Sequence, residues 1–437
     1  MSEGLAKQVI QFARPPVNTQ ATDTKPVNKP WRTPVDEKIR EHLEGTLLMP
    51  ILAAAESVTN PPLPLAIVLP QVLALVGCAL SGPAPSWNDP TKRQGKVGAD
   101  IARVRINTAG GQVPNIYALI VAPSTYGKDI GNVVPRLAGR QEYLLGTTAS
   151  AEGFADALIL RPNGLFIIDE LQPYLRERSW QHALTNTLTS LFNRGHFRYK
   201  LSKRAGAKER FSPFAYPNVI AKVQPEVLQH CAQPTDVQSG FLPRFLVGCP
   251  AQPGCCRPST RRLDLDAAQD ALRAYHTVAG DVEVPEGYLG DVLQEFIHGG
   301  ASLGSHYMRL VNEYGPRFAL MLSARRGVEQ TVITHETWCK VADLVRWFYT
   351  MAERVFEGLE GEAWQRRREA QMGKFLQYIR RHGQVTRSQL SRDMGRNTTA
   401  PERLEMIEEL RERGKITITE QGNGAQVYCA IPQEGRA

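Results

Sequence analysis

Four short apolar runs constrain this chain more than any other feature of its sequence. They cover residues 115–121, 165–168, 218–223 and 245–248, and each closes on polar or turn-forming residues. The stretches between them are long enough to hold helices. Near-continuous apolar runs of this length are strands buried on both faces, and such strands belong to a parallel sheet whose crossover helices cover it. The fold class expected is therefore α/β with a parallel sheet at its centre.

A chain of 437 residues exceeds one ordinary core, so further segments must flank the sheet. Residues 1–35, with Pro15, Pro16, Pro26, Pro30 and Pro34 among polar neighbours, read as a flexible arm. Residues 36–100 read as a helical lead-in. Its most apolar stretch, from Leu63 to Leu80, contains Pro64, Pro70, Gln71 and Gly77, which makes it a buried helix and not a membrane span. Residues 101–255 form the sheet core. Residues 256–362 read as a helical domain, with Leu310, Phe318, Leu320, Met321 and Leu322 on one apolar face and Val341, Leu344, Val345, Phe348 and Met351 on another. Residues 363–437 read as a separate module of three helices followed by a hairpin around Gly422-Asn423-Gly424, the order of a winged helix, with Thr386 as an N-cap. Seven scattered cysteines without a CxxC pair point away from zinc and toward a reducing, cytoplasmic setting.

The turn after the first run carries chemistry. A phosphate-binding loop needs backbone N–H groups wrapped around the phosphates, a lysine for the terminal ones and a helix N-terminus behind them. Ala122-Pro123-Ser124-Thr125-Tyr126-Gly127-Lys128-Asp129 has the Gly-Lys pair and the strand-to-helix setting, with a helix expected over 130–144. It departs from the usual pattern twice. Ala122 stands where the first glycine is expected, and Asp129 stands where Ser or Thr would hold Mg²⁺. The second run ends in Asp169-Glu170, an acidic pair suited to orienting Mg²⁺ and polarising an attacking water. The expected nucleotide site thus comprises Ser124, Thr125, Tyr126, Gly127, Lys128 and Asp129, with Asp169 and Asp129 as metal ligands, Glu170 and Lys128 as catalytic groups, and ATP and Mg²⁺ as cofactors.

The order of further motifs carries a resemblance. Thr147-Thr148-Ala149-Ser150-Ala151-Glu152-Gly153-Phe154 precedes the acidic strand. Gln224-Pro225-Glu226 follows the third run, and Gly240-Phe241-Leu242-Pro243-Arg244-Phe245-Leu246 leads into the fourth. Arg317-Phe318-Ala319-Leu320 and Ile333-Thr334 lie beyond. From about Leu47 to Gly358 the chain resembles a P-loop ATPase family of phage, plasmid and prophage replication modules, whose members are often described as primase/helicase proteins. That resemblance implies a RecA-like core. It also implies Gln224 as a polar sensor near the γ-phosphate, and Arg244 as an arginine finger or sensor acting across a subunit interface or within one subunit. A finger given by a neighbour requires a homo-oligomer, with a hexameric ring as the expectation.

Cations and aromatics alternate between Arg194 and Arg210, the pattern of a surface that neutralises phosphates and stacks on bases. Arg194, Arg198, Lys200, Lys203, Arg204 and Lys208 are the candidate contacts to single-stranded DNA, on what reads as a mobile loop; an acidic partner is the alternative. The net charge of +8 agrees with a polyanionic partner. In the C-terminal module Arg387 and Arg392 are candidates for duplex DNA; helix 401–413, the candidate recognition helix with Arg403, Arg411 and Arg413, also carries Glu402, Glu405, Glu408, Glu409 and Glu412, which keeps protein docking open as the alternative. Three functions stay open: an ATP-dependent helicase-like motor or loader in mobile-element replication, with a primase or initiator as a partner; a non-motor DNA-binding initiator or regulator whose nucleotide controls oligomerisation; and an ATPase switch in phage defence or plasmid maintenance.

Overall fold

The computed structural model describes residues 33–84, 96–107, 111–126, 137, 144–146, 151–175, 182–200, 209–232, 236–237, 240–251, 256–259, 265–285, 287–298, 304–325, 331–394, 400–420 and 426–431. The expected arm lies outside them up to residue 32. Its last residues are helical instead, because Thr33 caps helix α1 (Pro34–Leu43) in a reciprocal capping box with Asp36.

Helices α2 (Leu48–Glu56) and α3 (Leu65–Leu80) complete the lead-in. Every residue of α3 is buried. Full burial of each Val, Leu or Ile there contributes about 1.5–3 kcal/mol before conformational entropy is counted. Pro70 is accommodated inside the helix, and Gln71 donates to the Ile67 carbonyl at 2.8 Å. At Gly77 a Cβ would stand 2.3 Å from Asn218 Oδ1, so only glycine lets α3 approach the sheet this closely. Among the described residues no helix is long and apolar enough to cross a membrane.

The central sheet has five parallel strands: β1 (Tyr117–Val121), β2 (Leu144–Gly146), β3 (Leu165–Ile168), β4 (Asn218–Val223) and β5 (Leu246–Gly248). Their order across the sheet is β2-β3-β4-β1-β5. The acidic strand β3 and the loop strand β1 are therefore separated by β4 alone. Helix α3 covers one face. Helix α4 (His182–Arg194) covers the other, where the Tyr117 hydroxyl donates to the Leu188 carbonyl at 3.0 Å and its ring meets Phe192 edge-on at 4.9 Å. Of the helix expected over 130–144, Leu137 is described and is helical and buried, whereas Leu144 belongs to edge strand β2.

Two further strand pairs were not legible locally. Val104–Asn107 pairs in parallel with Gly280–Glu283, so residues 280–283 are a strand and not merely a break between helices. Phe197–Lys200 pairs antiparallel with Glu209–Ser212. The segments 36–100, 101–255 and 256–362 all contribute to one apolar cluster running from Ile39 to Phe356.

A second cluster runs from Met372 to Tyr428. Helix α5 (His335–His382) passes from the first cluster into the second without a break, so the boundary expected at 362/363 falls within a continuous helix. After it come β6 (Gln384–Thr386), α6 (Arg387–Met394), α7 (Ala400–Glu412), β7 (Ile416–Glu420) and β8 (Gln426–Ala430). The three strands form an antiparallel sheet in the order β6-β8-β7. Thr386 caps α6 as expected, with Gln389 returning the bond in a capping box.

Candidate functional site

In an open parallel sheet, ligands bind beyond the carboxyl ends of the strands, where the connections diverge to opposite sides. Here β1 is flanked by β4 and β5, while the chain leaving β1 next forms the far edge strand β2. The carboxyl end of β1 leads through Ala122 and Pro123 into the turn Ser124–Tyr126. That of β3 leads into Asp169-Glu170, and that of β4 into Gln224. Three sequence-predicted positions are thereby brought together: Gln224 Nε2 donates to Ser124 Oγ at 3.1 Å, and Asp169 lies on the adjoining strand end.

The departure at Ala122 has a packing explanation. Its methyl is fully buried with Ile67, Ile120 and Tyr126 in a small apolar cluster beneath the turn. That cluster anchors the turn to the first residues of α3. Burial of Tyr126, reinforced by nearby Cys249 and Cys256, pushes its hydroxyl pKa up. Gly127, Lys128 and Asp129 lie outside the described residues, as does the side chain of Thr125.

The sequence reading missed Lys222. It lies in β4, is 1% exposed, and places Nζ 3.1 Å from Asp169 Oδ1. A buried ammonium requires a charged or strongly polar partner, and Asp169, with its side chain 47% exposed, provides one while keeping its other edge toward solvent. The signal was present: a lysine inside a strand expected to be covered on both faces.

Among the described residues no three His, Cys, Asp or Glu side chains group closely enough to hold a metal by themselves. A magnesium ion carried by a nucleotide needs only one or two carboxylates, because phosphates and water supply the rest. Asp169 and Glu170 are adjacent and exposed, and they fit that demand.

Arg244 stands elsewhere. It lies two residues before the first residue of β5, at the amino edge of the sheet. Its carbonyl accepts from the Tyr314 hydroxyl, whose oxygen in turn accepts from the backbone N–H of Tyr117, at the start of β1, at 3.4 Å. The five residues of β1, roughly 16 Å of extended chain, separate that edge from the Ser124–Gln224 cluster. The Arg244 side chain therefore does not reach its own strand-end cluster, which leaves only the intersubunit form of the expected role. Its guanidinium donates to the Gly240 carbonyl, and burial, followed by the neighbouring Arg309, lowers its pKa.

At its described ends the basic segment is an antiparallel strand pair, Phe197–Lys200 with Glu209–Ser212, where a loop was expected. Arg198 pairs with Phe211 across it, and its guanidinium lies 5.3 Å from the exposed Phe211 ring. Arg194 and Arg198 are exposed. Lys200 is a strand residue whose side chain is not described, and Lys203, Arg204 and Lys208 lie outside the described residues. Gly195 fixes the hairpin's base and does not loosen it. Its φ is +61°, a Cβ would lie 2.0 Å from the Tyr216 ring, and its carbonyl accepts from Ala215 at 2.8 Å. Gly195→Ala is expected to destabilise the chain by about 2–4 kcal/mol, from a left-handed alanine plus a steric clash. Urea denaturation checks this, and a loss below about 0.5 kcal/mol would contradict the packing just described.

In the C-terminal module two arginines at the end of α7 are engaged locally, Arg411 within it and Arg413 just after it. Arg411 pairs with Glu408, and Arg413 with Glu369 and Glu409. On α6, Arg392 pairs with Asp393, which raises its pKa, while Arg387 is exposed at the first helical position.

These features define a mixed α/β protein with a five-stranded parallel sheet and a polar, acid-bearing cluster at the carboxyl ends of its three central strands. A scan against models of protein families returns no match, and a search among curated proteins returns no relative.

Proposed function

We propose that this chain is an ATP-dependent, helicase-like motor or loader acting on DNA in the replication of a mobile element, built on a RecA-like core and carrying a C-terminal winged helix. One observation carries the reading. The loop-bearing strand β1, the acid-bearing strand β3 and the strand β4 between them end side by side, and Gln224 bridges to Ser124. A γ-phosphate held by Lys128 would lie between that bridge and Glu170.

In this reading the turn from Ser124 to Asp129 cradles the phosphates and Asp169 orients magnesium, which would offset charge on the β- and γ-phosphates. Glu170 takes a proton from the attacking water, and Gln224 senses the terminal phosphate. Lys222 offsets the negative charge of Asp169 beside the phosphate site. Arg244 acts on a neighbouring subunit's nucleotide, so the active form is a homo-oligomer, with a hexameric ring as the arrangement that closes. Single-stranded DNA follows the basic hairpin, from Arg194 and Arg198 onward through Lys200, Lys203, Arg204 and Lys208. Arg387 and Arg392 address duplex DNA or a partner such as a primase, in the cytoplasm.

A second reading is favoured by the Lys222–Asp169 pair, which occupies one oxygen of the metal-orienting carboxylate. In it the nucleotide binds without rapid turnover and sets the oligomeric state of a DNA-binding initiator.

Native mass, ATP binding and phosphate release, each with and without single-stranded DNA, distinguish the two. The motor reading expects DNA-stimulated turnover by an oligomer, with nucleotide binding lost in Lys128→Ala. Binding and assembly without turnover select the initiator. An unaltered chain that binds no nucleotide under any of these conditions refutes both.

A further inference from the structure

We propose that the cavity between α1 and α5, beside the end of β5, receives the heterocyclic base of the nucleotide whose phosphates the β1 turn binds. The inference rests on the phosphate-site reading above and adds to it a site for the other end of the ligand.

The cavity measures about 410 Å³. That lies in the range of small-molecule sites, which pair an apolar lining with a few fixed polar groups. Its wall is assembled from the first turn of α1, the start of α3, the residues after β5 and the middle of α5. Two of these segments place it next to the phosphate turn. Gly248 is in register with Ile120, so Cys249, on the cavity wall, lies about one strand spacing, ~4.8 Å, from the end of β1. Ala66, also on the wall, adjoins Ile67, which packs beneath Ala122 and Tyr126. A ligand gripped by its phosphates over the turn therefore has this cavity within the length of a nucleoside.

The lining chemistry suits a flat, uncharged ring. Trp347 is nearly buried, and its indole Nε1 donates to Asp36 Oδ1 at 2.9 Å. Asp36 is itself held by the capping box of α1. The aromatic wall is thus fixed before any ligand arrives, and stacking on it requires little reordering. The charged groups on the wall are largely neutralised: Lys38 and Arg346 both pair with the wall's Asp343, at 2.9 and 3.5 Å, and Arg346 also pairs with Glu295, outside the wall, at 2.7 Å. A phosphate or a bare metal ion finds no excess charge in that part of the cavity. Arg354 is exposed on the wall near Cys249, where a cation faces the ribose-phosphate side of such a ligand. The backbone N–H of Cys249 donates to Met351 Sδ at 3.4 Å, which ties α5 to the end of β5 and keeps the cavity's depth constant.

The test compares ATP with inorganic tripolyphosphate, which shares the phosphates and lacks the base. Thr350→Trp and Ala251→Trp fill the cavity from two exposed wall positions, α5 and the segment after β5, where the fold tolerates a larger side chain. Each is expected to weaken ATP binding about tenfold or more while leaving tripolyphosphate affinity within twofold. Unchanged ATP affinity in both variants, or equal weakening of the two ligands, would overturn the base site alone. An unaltered chain that binds neither ligand would overturn the phosphate-site reading and this one with it.

Discussion

Glu170→Gln is expected to bind ATP within a few-fold of the unaltered chain and to release phosphate about 10²–10⁴-fold more slowly, the usual contribution of a positioned general base. The substitution keeps size and hydrogen-bonding shape and removes only the ability to take a proton. It also leaves the neighbouring ion pair intact, because Lys222 bonds Asp169. Equilibrium binding and single-turnover hydrolysis, measured on the same preparation, separate the two effects. A variant that hydrolyses at the unaltered rate would remove Glu170 from the chemistry. One that loses binding would recast it as a structural or metal-holding residue.

Arg244→Ala is expected to lower turnover by about 10³-fold or more, as loss of an arginine finger does, with nucleotide binding by each subunit retained. The position of Arg244 makes a sharper statement than its identity. It lies at the amino edge of β5, with the length of β1 between it and the strand-end cluster. A subunit lacking Arg244 but keeping Lys128 should therefore be complemented by one lacking Lys128 but keeping Arg244. Mixing the two inactive variants is expected to restore measurable turnover, because some interfaces then hold both groups. Mixtures as inactive as their parts would place Arg244 among the structural residues of its loop, where it already bonds the Gly240 carbonyl.

Much of this architecture was legible in the sequence, and the reason is local. The runs that became β1, β3, β4 and β5 are apolar throughout save for Asn218 and Lys222 of β4, and burial on both faces leaves that mark on a strand. Val104–Asn107 and Gly280–Glu283 left no such mark. Their outward positions pair polar groups across 176 residues, the Arg105 guanidinium with Asp281 and the Asn107 amide with Glu283, so each half looks like a polar loop on its own. Strand β2 has three residues, too few to show a period. The basic hairpin was obscured by its own cations, which read more readily as a solvated loop than as strands.

The candidate site divides in the same way. Ser124 was singled out from the loop pattern after β1, Asp169 from an apolar run that ends in acids and Gln224 from the resemblance; all three stand at strand ends, where a parallel sheet presents its chemistry. Lys222 was passed over because it lies within such a run and was counted with its neighbours. The cavity beside β5 had no local signature at all. Its wall joins the starts of α1 and α3, the residues after β5 and a turn of α5, and only tertiary packing brings these together.

Helix α5 has a mechanical consequence. It is continuous over 48 residues, about 72 Å at the usual rise per residue. One stretch of it walls the cavity near Arg354, and its last turns belong to the C-terminal core with Phe375 and Ile379. A rod held at one point and loaded at another is a lever. From Arg354 to Met372, the first residue of the C-terminal cluster, the arm is about 27 Å, so a tilt of about 10° at the cavity becomes about 5 Å of travel where that cluster begins. That travel scales with the number of helical turns between cavity and module, and adding or removing a turn would change it without touching either end.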